Sequence, residues 1–81
     1  MLFKDLYYKL DMDTLIKVFD YDEPNFNDDL LYMEKAYYLE GSFNWFEIMN
    51  KNVIIIEANT YKDDLGGITP YISIWVSKGG K

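Results

Sequence analysis

Leu2, Leu6 and Leu10 recur at every fourth position, with Phe3 and Tyr7 one place further on. That spacing lays an apolar stripe along one side of a short helix, which the pattern predicts over residues 2–10. The polar run Asp11-Met12-Asp13 breaks the helix. Thr14-Leu15-Ile16-Lys17-Val18-Phe19-Asp20-Tyr21 is rich in β-branched and aromatic residues, which suit the pleated surface of a strand. Asp22-Glu23-Pro24-Asn25 supplies the turn that follows.

Residues 28–40 fit two periods. In a helix Leu30, Met33 and Tyr37 share a face, whereas in a strand Leu31, Met33, Tyr37 and Leu39 alternate, interrupted by Lys35. The ends favour the helix: Asn27 suits an N-cap, Asp28 and Asp29 suit the positive end of the helix dipole, and Gly41 suits the position after the last turn. Beyond it the pattern turns to strands. Residues 43–49 are aromatic and branched, Asn50-Lys51-Asn52 is a short polar turn, and residues 53–59, opening with Val53-Ile54-Ile55-Ile56, form a strong strand, so a hairpin is expected. Residues 61–69, with Asp63-Asp64-Leu65-Gly66-Gly67, read as a flexible connection to a last strand, Tyr71-Ile72-Ser73-Ile74-Trp75-Val76. The expected fold is α+β: an N-terminal helix, a strand, a second helix, then a three-stranded antiparallel β-meander packed against the helices. Residues 1–81 make one acidic domain, with 77–81 as a flexible tail.

Length limits what such a fold can do, since a chain of 81 residues has room for one thin core. Eight Tyr, five Phe and two Trp give it large apolar bodies to bury, and Trp45 and Trp75 are expected in that core. The absence of cysteine excludes disulfides and thiolate metal sites and fits a reducing, cytoplasmic setting. The opening Met1-Leu2-Phe3-Lys4-Asp5 does not resemble a secretory signal, and the longest apolar run, Val53-Ile54-Ile55-Ile56, cannot span a bilayer.

Charge changes the picture more. Residues 1–40 carry ten acids against four lysines, residues 41–81 carry four of each, and there is no arginine. The whole net charge of −6 therefore belongs to the first half. A chain with this field is not expected to bind free nucleic acid, which requires a positive stripe to displace counterions, or an anionic membrane. Catalysis is not expected either. Without His or Cys the commonest general base and the strongest nucleophile are missing, and Ser42, Ser73 and Ser77 have only carboxylates to activate them. Phosphate-cradling glycine loops are absent. The pairs Asp11/Asp13, Asp20/Asp22 and Asp63/Asp64 do not fit a calcium loop and read as solvated turns. No cofactor or metal is expected.

What remains is binding. Asp20, Asp22, Glu23, Asp28 and Asp29 stand in ten residues with no base among them, and clustered carboxylates steer a basic partner. The same run would also serve as a solubilising face. Tyr7-Tyr8 and Tyr37-Tyr38 are doublets, so one member of each should face outward; Tyr8 and Tyr38 are the candidate contact residues, since exposed Tyr beside carboxylate is a common interface composition.

The stretch from Leu6 to Tyr21, Leu6-Tyr7-Tyr8-Lys9-Leu10-Asp11-Met12-Asp13-Thr14-Leu15-Ile16-Lys17-Val18-Phe19-Asp20-Tyr21, and the later Asn52-Val53-Ile54-Ile55-Ile56-Glu57, resemble small acidic accessory proteins of phages and conjugative elements in Gram-positive bacteria. The resemblance covers about a quarter of the chain and implies a class: inhibitors of host defence, including anti-CRISPR proteins and other DNA mimics, whose carboxylates occupy a Lys/Arg-lined groove. Two rivals share the small size. One is an immunity protein or antitoxin for a basic nuclease. The other is an oligomeric accessory protein whose last strand, with its Ile and Trp, pairs with another copy across a sheet edge.

Overall fold

The computed structural model describes residues 1–21 and 29–77. The predicted turn at 22–25, the expected N-cap Asn27, the acids Asp22, Glu23 and Asp28, and positions 78–81 of the tail lie outside the described residues.

Among the described residues the chain forms a mixed α+β structure on one four-stranded sheet. In chain order the elements are α1 (Phe3–Tyr7), β1 (Leu15–Tyr21), β2 (Asp29–Lys35), a 3-10 helix (Ala36–Gly41), α2 (Trp45–Met49), β3 (Val53–Lys62) and β4 (Ile68–Ser77). The sheet order is β2-β1-β4-β3. β1 runs antiparallel to β2 and parallel to β4, and β3 and β4 form an antiparallel hairpin.

The alternation in β1 and β4 explains the core. Ile16 and Val18 of β1, with Ile74 and Val76 of β4, point to one side of the sheet and are fully buried. Phe3 and Tyr7 of α1, Ala36 and Leu39 of the 3-10 helix, and Ile48 and Met49 of α2 close over them. In α1 the buried pair is Phe3 and Tyr7, and the leucine stripe, including Leu6 and Leu10, packs around it half-buried.

Three expectations are corrected. Residues 28–40 are not a helix: residues 29–35 pair along the outer side of β1, and only Ala36–Gly41 turn, as a 3-10 helix. The unpaired hydrogen-bonding edge of β1 decides between two nearly balanced patterns, because tertiary pairing overrides a weak local preference. Leu30 and Met33, the proposed helical stripe, stay exposed, while Ala36 and Leu39, three apart as a 3-10 helix requires, are buried. Residues 43–49 are not the first strand of a meander, because Trp45–Met49 is helical. Trp45, Ile48 and Met49 fall at helical spacing and turn onto the core. The meander is therefore a mixed sheet in which β4 lies inside, between β1 and β3.

Residues 61–69 are also more ordered than expected. β3 and β4 stay paired to Lys62 and Ile68, and Asp63 closes the turn by accepting from the backbone N–H groups of Leu65 (2.9 Å) and Gly67 (2.7 Å) through Oδ1. Gly66 sits at φ +85°, which glycine adopts without steric cost. This hairpin runs on past the start of β1, and the longest dimension of the molecule reaches 43 Å.

Candidate functional site

Of the predicted contact residues, Tyr8, Tyr38, Asp20 and Asp29 are among the described residues. Tyr8 and Tyr38 are exposed, at 68% and 54%. Tyr8 rests edge-on against Tyr7, with ring centres 5.4 Å apart, and Tyr38 stands in the same way against Tyr37 at 5.2 Å. Tyr7 ties the two doublets together, since its buried hydroxyl donates to the carbonyl of Ala36 at 2.8 Å. The backbone N–H groups of Ala36 and Tyr37 donate to Thr14 and Met12, which holds the 3-10 helix beside the start of β1. Asp11 and Asp13 precede that strand and are exposed.

Titration links the same group. Tyr32 donates its hydroxyl to the carbonyl of Lys35 at 2.6 Å. Its pKa is pushed up to about 12 by burial, then by the charge of Glu34 and by Tyr7 and Tyr38. The Tyr7 hydroxyl is raised too, by burial first and then by Glu40 and Tyr8. Tyr32 and the Tyr7–Ala36 hydrogen bond lie at the end of the β1–β2 hairpin where β2 passes into the 3-10 helix, and Glu34 and Glu40 belong to those same two elements.

The acidic residues stand at the other end. Asp20 and Asp29 are cross-strand neighbours near the β1–β2 turn, while Lys35 marks the far end of β2. Six strand steps separate Asp29 from Lys35, roughly 20 Å. Tyr38, in the 3-10 helix that follows Lys35, thus lies at the end of the β1–β2 hairpin away from Asp20 and Asp29. Asp29 is exposed.

Asp20 has a base that its own stretch of sequence lacks: Lys51 stands 3.6 Å away. Lys51 is 7% exposed and Asp20 14%, and Lys51 also meets Glu47 at 3.7 Å. Asp20 Oδ1 is buried with no hydrogen bond, so Lys51 compensates it by charge alone. Lys51 lies far from Asp20 in the chain, and no local pattern could have revealed the pair.

The sequence reading also missed the second face of the sheet. Leu30, Phe19, Trp75 and Ile55 lie in register across the four strands, on the side away from the helices. Phe19 and Trp75 stack at 5.1 Å, and beside them Lys17 lies 4.6 Å from the Tyr71 ring centre. Trp75, expected in the core, is therefore half-buried on this second face. Strict alternation in β1 and β4 carried that signal, because both faces of these strands are aromatic or branched.

A shallow cleft of about 420 Å³ lies where the hairpin overhangs the start of β1, lined by Asp13, Glu34, Lys35, Asn59 and Tyr71 among others. None of the three serines lines it. Ser42 donates to the carbonyl of Leu39, while Ser73 and Ser77 accept hydrogen bonds from Asn59 and the backbone of Asn52. Among the described residues no group of three or more acids is placed to hold a metal ion, and no helix is long and apolar enough to cross a membrane. Compared with known proteins, the chain matches no family model, no curated protein and no solved structure.

Proposed function

We propose that this chain is a non-catalytic binding domain that docks on the basic surface of a protein partner. The observation that carries this reading is the exposure of Tyr8 and Tyr38, each set edge-on against its doublet partner, with the Tyr7–Ala36 hydrogen bond joining their two elements and Glu40 in the same 3-10 helix as Tyr38. Rigid tyrosines supply apolar area at low entropic cost, and their hydroxyls supply hydrogen bonds. The acids around them favour lysine and arginine opposite. The charge balance supports the same choice, since all of the net −6 belongs to residues 1–40, which include both ends of the β1–β2 hairpin.

The partner class follows from the field. A groove that attracts phosphates attracts carboxylates, so a nucleic-acid-binding protein is the natural target and blocking its groove is the effect. This is how an inhibitor of host defence, of the anti-CRISPR or DNA-mimic kind, would act.

The test is capture of a basic, nucleic-acid-binding protein from a bacterial lysate on the immobilised chain, followed by affinity measurement with the purified protein. Replacing Tyr8 and Tyr38 together by Ala should weaken binding by about 2 kcal/mol or more, roughly 30-fold. A second variant carries Asn or Gln at positions 22, 23, 28 and 29, and its loss of affinity reports whether the acidic turn end also engages. Unchanged affinity in both variants would refute the reading.

A further inference from the structure

We propose that β3 is a self-pairing edge: two copies of the chain join antiparallel along it, about a two-fold axis at Ala58, to give one eight-stranded sheet. β3 ends the sheet, and beyond its first residues no described strand meets its outer side. Such a row of unpaired N–H and C=O groups templates another strand unless charge, proline or a covering element blocks it. Along its middle β3 carries a single charge, Glu57, and no described element covers it. It runs for ten residues, contains no proline, and exposes Ile54, Ile55 and Ile56.

The register follows from what is already occupied. Met1 accepts from the N–H of Val53, Leu2 bridges Asn52, and Phe3 donates to Lys51, so the N-terminal residues fill the outer side of the strand at its start. The free stretch is residues 54–62, and its midpoint is Ala58. A two-fold there sets Ala58 against Ala58, Glu57 against Asn59, Ile56 against Thr60, and Ile55 against Tyr61. Every pair joins residues of the same sheet face, as antiparallel pairing requires. Ile55 beside Tyr61 is a branched–aromatic pair, Glu57 meets an amide rather than its own copy, and the smallest side chain sits on the axis.

Charge selects a second copy as the occupant. Residues 54–62 carry one acid and one lysine, Glu57 and Lys62, whereas β2, the other edge, carries Asp29 and Glu34 against Lys35. Two copies meeting at β3 approach along neutral edges and keep their acidic sides furthest apart. β2 is also blunted by Asp29, Glu34 and Lys35. Tyr38 lies in the 3-10 helix that follows β2, the opposite edge of the sheet, and self-association is measured with no partner present, so the dimer stands independently of the partner-binding reading.

Sedimentation of the full chain at micromolar concentration tests this with no partner present. The parent should sediment at twice its 9.6 kDa. Ala58→Lys and Ala58→Glu should each sediment as folded monomers by circular dichroism, because like charges then face each other on the axis, and an equimolar mixture of the two should restore the dimer. Since the chain has no cysteine, Ala58→Cys should cross-link to itself on oxidation, whereas Glu57→Cys should not, its own copy lying roughly 7–8 Å away on the diagonal. A monomeric parent overturns the proposal. So does a Glu57→Cys chain that cross-links as readily as Ala58→Cys, and that result does not depend on how the charged variants fold.

Discussion

Lys51 and Asp20 show how much one residue pair can hide. The cation is buried, the carboxylate is nearly so, and Oδ1 of Asp20 relies on the ammonium without a hydrogen bond. Removing the cation leaves a desolvated charge behind, so Lys51→Met should destabilise the fold by about 1–3 kcal/mol in urea unfolding. Adding Asp20→Asn should recover part of that loss, because the buried charge goes too. Additive losses would mean that the two do not interact. Tyr32 offers a second check through pH. Its folded pKa is about 12 against an ordinary 10.0, so the folded state holds the proton more tightly than the unfolded chain. Stability is therefore unaffected below pH 10 and falls as pH rises from 10 towards 12. Tyr32→Phe should flatten that alkaline decline while giving up the hydrogen bond to Lys35, read from urea midpoints along the pH series. Of the seven predicted contact residues, Tyr8 and Tyr38 are exposed, as a doublet suggests for at least one member, but Tyr37 is exposed as well, so the doublet does not choose between its members. The base beside Asp20 comes from another element and leaves no trace in the local sequence.

Among the elements, those with strong alternation were legible: β1, β3 and β4 fall close to their predicted positions, as does α1. The two misread segments failed for different reasons. Residues 29–35 became a strand because β1 needs a second partner, a demand that no window of sequence displays. Residues 45–49 became a helix against their aromatic composition, although Trp45, Ile48 and Met49 already stood at helical spacing. A bulge joins the two misreadings. Leu31 has no partner in the β1–β2 ladder, and its carbonyl instead accepts from the Asn44 side chain at 3.0 Å, just before α2. At the hairpin tip, Gly66 at φ +85° has open space around it, so a methyl group meets only backbone strain. Gly66→Ala should cost about 1 kcal/mol. Hydrogen exchange should quicken first in the overhanging part of β3 and β4; uniform quickening across the sheet would mean that the tip is not an independent unit.

At the scale of the molecule, one face of the sheet carries the described helices and the core, the other carries Phe19 and Trp75, and the charge is divided between the halves of the chain. The division argues against direct nucleic-acid binding. A gel shift with double-stranded DNA at physiological salt, where screening extends only about 8 Å, should show no complex. Submicromolar binding there would refute this electrostatic reading. The second face was not legible as such, because aromatic residues in β1 and β4 read equally well as core, and the described helices lie on the other side of the sheet from Phe19 and Trp75. The central claim, that the chain occupies a basic nucleic-acid-binding surface, is tested most directly by competition on the captured partner. Labelled DNA is bound to that protein and the chain is added. The account predicts that the parent chain displaces the DNA, that the Tyr8→Ala, Tyr38→Ala variant needs roughly 30-fold more protein to do so, and that added salt weakens the parent. Simultaneous binding of chain and DNA to the partner would contradict it.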